Sequence, residues 1–274
     1  MITSPDDIPN IEFSFSVSDI ADPLKTKHLI WVLTRKSDEL EKWVISDFTY
    51  WSWPLDLLGE YTEFRQEVRA IEEVWSWDKK IPKVVWRGAL KTNKNREKLL
   101  QVSKGKDWAD IRGVTWKGQY VSTESDPLPI AEHCKYKFVL QTEGHSYSGR
   151  GKYLQHCRSV YIAPKSEWIE PHHSALVPSG PNQNFVEVES DFSDLEQKVQ
   201  ALLNDEDYAK RIADNGVTVF RDRYLTPAAQ ACYWRYMFKK WAEISFEPDG
   251  WERIKDSKGN DIQKLRGTAF ETFA

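Results

Sequence analysis

The residues with the clearest chemical meaning sit together near the middle of the chain. Ser148, Gly149 and Arg150 close the polar loop Thr142 to Gly149 (TEGHSYSG), with Lys152 two positions further on. A guanidinium can grip a phosphate through two parallel N–H bonds, a glycine lets a ligand approach the main chain, and free N–H groups at a helix start add donors. The chemistry that this grouping offers is anion binding, with Lys152 behind Arg150 as a further positive charge. The loop has neither GxGxxG nor the GK[ST] of a P-loop, so ATP chemistry of the P-loop kind is not expected. From spacing alone, a solvated arginine on a surface helix accounts for the same residues equally well.

The flanking elements decide where such a loop would lie. Tyr136 to Gln141 and Ser159 to Ala163 read as strands, and Gly149 to Cys157 leaves room for a helix of about two turns. A helical crossover places the two strands parallel in one sheet, with a ligand beyond the carboxyl end of the first. Strand, loop and helix recur upstream, where Lys83 to Trp86 is a strand ending in Arg87-Gly88 and Asn95 to Ser103 a helix. Ile11 to Val17 alternates like a strand, and Leu29 to Thr34 is a compact apolar run. Glu60 to Trp75 has helical spacing, with Tyr61, Phe64, Val68, Ile71 and Val74 on one face.

Downstream, Ala175 to Pro178 and Phe185 to Val188 read as short strands. Ser193 with Glu196 forms a capping box ahead of a helix that buries Leu195, Val199, Leu202 and Leu203. Asp207 to Tyr224 is helical with a break near Asn215-Gly216. Thr226-Pro227 opens a last, aromatic helix through Glu243, and the tail after Pro248 is read as loosely held. The alternation is that of an α/β fold. A boundary near Ile81-Pro82 gives an N-terminal domain over 1–80 and a ligand-binding domain over 81–225. Residues 226–274 then pack back on the first domain.

With 274 residues the chain can bury a substantial core. Its 38 basic and 42 acidic residues give a net charge of −4, with no basic tail or block, so a nucleic-acid partner is not expected. Most of the 13 Trp are read as core residues, although pairs such as Trp51 with Trp53 lean weakly towards carbohydrate. Cys134, Cys157 and Cys232 fit no zinc spacing, and buried free thiols are expected at Cys134 and Cys157. His172-His173, His145 and His156 have no carboxylate or cysteine at ligand spacing, so no metal is expected. There is no GxSxG elbow for a hydrolase. The amino terminus lacks a signal-peptide pattern, and no run is long and apolar enough to span a membrane.

Four segments together resemble glycosyltransferase family 90, the group of fungal capsule-associated xylosyltransferase-like proteins and animal protein O-glucosyltransferases. They are EFSFSVSD (Glu12 to Asp19), DFTYWSWP (Asp47 to Pro54), VVWRGALKTNKNRE (Val84 to Glu97) and KYKFVLQTEGHSYSGRGKYL (Lys135 to Leu154). QNFVEVESDFSDLEQKV and YWRYMF resemble the family's carboxyl-terminal part. The resemblance implies a GT-B arrangement of two Rossmann-like domains facing across a cleft. It also implies transfer of xylose or glucose from a UDP-sugar to a hydroxyl of a glycan or protein, with inversion, no cofactor and no required metal, in the secretory pathway.

Carried onto these positions, the resemblance makes Asp19 the general base and Arg150 the ligand of the donor diphosphate, assisted by Ser148 and Gly149. Arg87 and Gly88 match another part of the donor site, with Thr92 and Arg96 as contributors. From its own neighbours, Asp19 reads as a cap or turn residue before Ile20-Ala21-Asp22-Pro23, and Arg87 as a partner in an interdomain salt bridge. Ala89-Leu90 stand where the animal enzymes carry small hydroxyl residues, Glu143 stands where many relatives have aspartate, and Trp51 and Trp53 are candidates for the acceptor side. Relatives carry more residues ahead of the Asp19 motif, which keeps a second expectation open: a truncated first domain, in a catalytically inactive carbohydrate-binding relative.

Overall fold

The computed structural model of this chain describes residues 7–21, 29–53, 55, 57–117, 120–122 and 126–266. In one unit, Phe15–Gln230, the chain runs β1 (Ile30–Val32), β2 (Lys42–Val44), α1 (Tyr61–Val74), β3 (Ile81–Gly88), α2 (Lys94–Ser103) and β4 (Ala109–Gly113). It continues through β5 (Tyr136–Leu140), α3 (Arg150–Leu154), β6 (Val160–Pro164), β7 (Val186–Val188), α4 (Leu195–Asn204) and α5 (Glu206–Gly216) to the start of α6 (Pro227–Ile244). Five strands form a sheet in the order β7-β6-β5-β3-β4, every neighbouring pair parallel.

The side-chain period of two explains why this sheet is covered on both faces. Val84, Trp86, Phe138, Leu140, Val160 and Ile162 point to one side, where Leu99 of α2 and apolar residues of α4 and α5 complete the core. Val85, Val139, Tyr161 and Ala163 alternate with them and meet Tyr61, Phe64 and Val68 of α1 and Tyr153 and Leu154 of α3. Val84, Val85, Val139 and Leu140 are all fully buried, each such side chain contributing about 1.5–3 kcal/mol. The expected α/β class with a parallel sheet is what the chain forms.

Helix starts follow local chemistry. Asn93 caps α2 by accepting from the Asn95 N–H, Asp205 caps α5 at Tyr208, and Thr226 Oγ1 accepts from the Ala229 N–H at the head of α6. The capping box expected at Ser193 does not form: α4 starts at Leu195, and the Glu196 carboxylate binds Lys106 instead. The expected break near Gly216 is a change from α to π winding over Val217–Tyr224.

Three other expectations are corrected. Ile11 to Val17 is not a strand; among the described residues an isolated parallel bridge joins Phe15 to Trp31, where the Ser16 N–H donates to the Trp31 carbonyl of β1. Ala175 to Pro178 forms no strand either, since Ala175 ends a 3₁₀ turn begun at His173 and Asn184 takes up the nearby main-chain groups. The tail is not loose throughout. Trp251–Lys255 and Asp261–Leu265 pair antiparallel about a turn in which Gly259 adopts φ 84°, as a DSKGN turn permits.

The second unit joins the chain ends, Met1–Ser14 with Ala231–Ala274. Within it Trp241 Nε1 donates to the Glu12 carbonyl at 2.8 Å, and Arg266 pairs with Glu12 at 2.7 Å.

Cys134 and Cys157 are not free thiols: they form a disulfide, with Cα atoms 4.8 Å apart. Cys134 sits in the 3₁₀ turn Ile130–Lys135 just ahead of β5, and Cys157 lies just beyond α3. A crossover helix runs back along the strand it follows, so its end returns beside that strand's beginning. Cys232 is free and exposed.

Candidate active site

A cavity of about 490 Å³ opens at the carboxyl ends of β3 and β5 and is lined by Asp19, Arg87, Gly88, Thr92, Arg96, Ser148, Gly149 and Arg150, the residues expected to bind the donor and take the proton. Arg87 and Gly88 end β3, Thr92 and Arg96 follow, and Ser148, Gly149 and Arg150 come from the loop after β5. Asp19 lines the same space. The volume suits a nucleotide-sized ligand.

Two positive charges dominate one wall. Arg96 is buried in the first turn of α2, donating from Nη1 to the Ala89 carbonyl (2.8 Å) and Thr92 Oγ1 (2.9 Å) and from Nε to the Glu143 carbonyl (3.0 Å). Arg150 Nη1 donates to the Arg87 carbonyl, while its Nε is buried without a partner among the described residues. Both guanidiniums lie over the ring of fully buried Trp86, at 5.8 and 5.4 Å. Neither pairs with a carboxylate among the described residues. Burial lowers Arg96 to about 10, and burial followed by repulsion from Arg96 lowers Arg150 to about 9. Uncompensated buried charge is costly, and an anionic ligand between the two would relieve it.

Trp86 explains the glycine two residues on. A Cβ at Gly88 would stand 2.5 Å from the Trp86 ring, so only glycine lets the strand turn past the indole. Gly149 is similarly enclosed, its absent Cβ lying 3.3 Å from Trp53 and 3.4 Å from Asp47.

Asp47 anchors the loop from beneath. Its carboxylate accepts from Thr49 N (3.0 Å), Thr49 Oγ1 (2.6 Å), Tyr147 Oη (3.0 Å) and Lys152 Nζ (2.7 Å). Lys152 also lies 3.8 Å from Glu170. Lys152 is therefore a fully buried counter-charge to Asp47, and not the further positive charge towards an anion that its place behind Arg150 suggested. Residues two apart on a helix point roughly 200° from one another, so Arg150 and Lys152 cannot share a face.

Asp19 is exposed, with no hydrogen-bond acceptor role among the described residues, and it faces the cavity. The Tyr147 hydroxyl feels it: burial, then Asp47 and Glu170, and to a smaller degree Asp19, push that phenol far above its ordinary range. The turn that Asp19 was expected to cap at Asp22-Pro23 lies outside the described residues. A carboxylate and two cations that line one cavity can between them take a proton from one reacting group and hold departing negative charge on another.

The sequence profile of glycosyl transferase family 90 matches residues 3–256. The chain belongs to that family. Among relatives, an O-glucosyltransferase rumi homolog of Aedes aegypti is 27% identical over 68% of this chain and 48% of its own length. Protein O-glucosyltransferase 1 of Rattus norvegicus is 26% identical over 76% of this chain and 56% of its own. The family 90 chain thus spans about half the length of the curated relatives it matches. Of solved structures, Anabaena HepE in complex with UDP and glucose is similar at a TM-score of 0.40 and 10% identity, over 72% of this chain and 56% of that one. The C-terminal domain of a glycosyl transferase group 1 protein of Francisella tularensis is similar at 0.37 and 12%, over 64% and 96%.

Several family 90 positions are placed differently from their sequence reading. Arg87 lines the cavity, yet its guanidinium turns to the edge strand and pairs with Asp110 at 2.9 Å and Asp126 at 3.5 Å. Glu143 Oε1 accepts from Ser166 Oγ and the Glu167 and Trp168 N–H groups, on the far side of the loop. Trp53 reaches the cavity, whereas Trp51 is 86% exposed.

The carboxylate that spacing did not offer the histidine pair is Glu170: with His172 and His173 it presents atoms within 4.8 Å of one another. Two of its three members are engaged with each other, while both ring nitrogens of His172 are buried without a hydrogen-bond partner among the described residues. His173 Nδ1 accepts from the Glu170 N–H (3.3 Å), which puts its proton on Nε2 facing Glu170 (3.2 Å), and the Lys152 ammonium stands beside the same carboxylate.

Sequence reasoning missed Trp86, Asp47 and His133. Asp47 could have been suspected as the only charged residue in an aromatic run, but nothing marked the partners that fold against it.

Proposed function

We propose that this chain is an inverting glycosyltransferase that moves a sugar from a UDP-sugar to a hydroxyl of a protein or glycan acceptor. One observation carries the reading: Asp19 lines the same cavity as Arg96 and Arg150, two buried guanidiniums without a carboxylate partner among the described residues. Glucose is the first choice of sugar, because the relatives above are named O-glucosyltransferases, and xylose the second.

In the reaction Asp19 takes the acceptor hydroxyl proton as that oxygen attacks the anomeric carbon. The bond from that carbon to the diphosphate breaks on the opposite face, which inverts the configuration. Arg150 and Arg96 receive the charge that develops on departing UDP, with Thr92, Ser148 and the Gly88 and Gly149 backbone forming the wall around it. Cations already fixed in place can do for the leaving group what a metal would, so no metal or cofactor is needed. The Cys134–Cys157 disulfide suits an oxidising compartment such as the secretory pathway. Among the described residues no helix is long and apolar enough to cross a membrane.

Calorimetry with UDP tests the reading. UDP binds the intact chain, Arg150→Ala abolishes binding, and Asp19→Asn removes UDP-glucose turnover while leaving UDP affinity nearly intact. No UDP effect on the intact protein would overturn it, and glycan binding without UDP would identify a non-catalytic relative.

A further inference from the structure

His133 lies in the 3₁₀ turn ahead of β5, 2% exposed, and lines the cavity described above. Its Nδ1 stands 3.1 Å from the Pro129 carbonyl, an oxygen that can only accept, so Nδ1 carries the ring proton. Burial, with repulsion from Arg150 as the next cause, lowers its pKa to about 3, which keeps the ring neutral. Nε2 is then a lone pair. It is buried, and no group among the described residues donates to it.

A buried acceptor left open in a cavity wall costs stability unless a ligand or a water fills it. Other residues that line the cavity narrow what that ligand is. Val114, Trp116, Leu128 and Ile130 line the same cavity and are apolar, a setting for a flat ring rather than for phosphate or sugar hydroxyls. A ring that suits both features is planar and carries an N–H in its edge.

We propose that His133 is a specificity-determining residue that reads the nucleobase of the donor, its Nε2 accepting the N3–H of uracil. The inference rests on the UDP-sugar reading above and extends it to the choice of base. Cytosine has a lone pair at N3, so CDP would set two acceptors against each other. A base methylated at N3 loses the donor and adds bulk. The diphosphate end of the cavity is unaffected by either change.

The experiment compares UDP, CDP, 3-methyl-UDP and inorganic pyrophosphate by calorimetry on the intact chain and on His133→Phe, which keeps a flat ring but has no acceptor. On the intact chain CDP and 3-methyl-UDP are expected to bind roughly 10- to 100-fold more weakly than UDP. On the variant the UDP-to-CDP ratio falls to about threefold or less while pyrophosphate affinity is unchanged, a pattern that simple destabilisation does not produce. Equal binding of UDP and 3-methyl-UDP by the intact chain overturns the proposal without needing a variant. So does a ratio that survives in His133→Phe. UDP binding no tighter than pyrophosphate overturns the base contact and leaves the diphosphate site standing; failure of both to bind overturns the two readings together.

Discussion

The Lys152 ammonium lies 2.7 Å from the Asp47 carboxylate, with side-chain exposures of 0% and 2%. This pair ties the helix that begins with Arg150 to the aromatic segment that supplies Trp53. Tyr147 joins the same carboxylate, so the loop is held at both ends of its Ser-Gly-Arg stretch.

Removing one partner of such a pair strands the other. Asp47→Ala is expected to lose about 3 kcal/mol of unfolding free energy, the lower part of the range for a broken buried pair, because Glu170 remains near Lys152. Urea denaturation measures this, and a double change, Asp47→Ala with Lys152→Met, should recover part of the loss. A single-variant loss below about 1 kcal/mol would show that the pair behaves like a surface contact.

Gly88→Ala introduces a Cβ where the Trp86 ring already stands. Such overpacking costs about 1–3 kcal/mol. Displacing the indole should also disturb Arg96 and Arg150 together, so UDP affinity falls about tenfold, as for loss of one hydrogen bond to a charged group. Unchanged calorimetric affinity in a folded variant would mean that Trp86 is filler and not a platform.

Reduction of the Cys134–Cys157 disulfide opens a loop of sequence separation 23, for which the chain-entropy model gives about 3 kcal/mol. Thermal unfolding with and without reductant should show a lower midpoint in the reduced chain, as should Cys134→Ser with Cys157→Ser. Superimposable curves would contradict the pairing.

Acid should destabilise the chain through its buried histidines. His133 and His156 are both lowered to about 3, chiefly by burial, and His156 also meets the Tyr61 hydroxyl at 2.7 Å. The unfolded chain protonates such groups near 6.5 and the folded chain does not, so stability is lost as pH falls from about 6.5 towards 3. Each fully buried histidine steepens the loss by about 1.4 kcal/mol per pH unit in that window. Denaturation midpoints at pH 7 and 5 measure the slope, and His156→Gln should reduce it. A flat profile would mean that His156 takes up its proton in the folded chain.

The parts of the fold that could be read from sequence are those encoded locally. Tyr136 to Leu140 and Val160 to Pro164 are apolar runs with a polar loop and one short helix between them, and a right-handed crossover leaves few ways to join them. All the proposed donor residues therefore arrive at one end of the sheet. What sequence hid depends on contacts between distant segments. Arg87 and Arg150 look alike as letters, yet Arg87 meets Asp110 across the edge strand while Arg150 meets, among the described residues, the Arg87 carbonyl, the Thr142 hydroxyl and the Trp86 indole but no carboxylate. Ile11 to Val17 has strand alternation, but among the described residues it forms an isolated bridge at Phe15 and no ladder. The disulfide was obscured because a spacing count cannot show that a helix brings its end back to where the strand began.

That same disulfide makes the stretch from Cys134 to Cys157 a covalent ring, and β5, the Ser-Gly-Arg loop and α3 all lie on it. A protease that cut the exposed chain at His145 would open the ring without releasing a fragment. The two cut ends would stay joined through sulfur, with His133 and β5 on one side of the cut and Arg150 and α3 on the other.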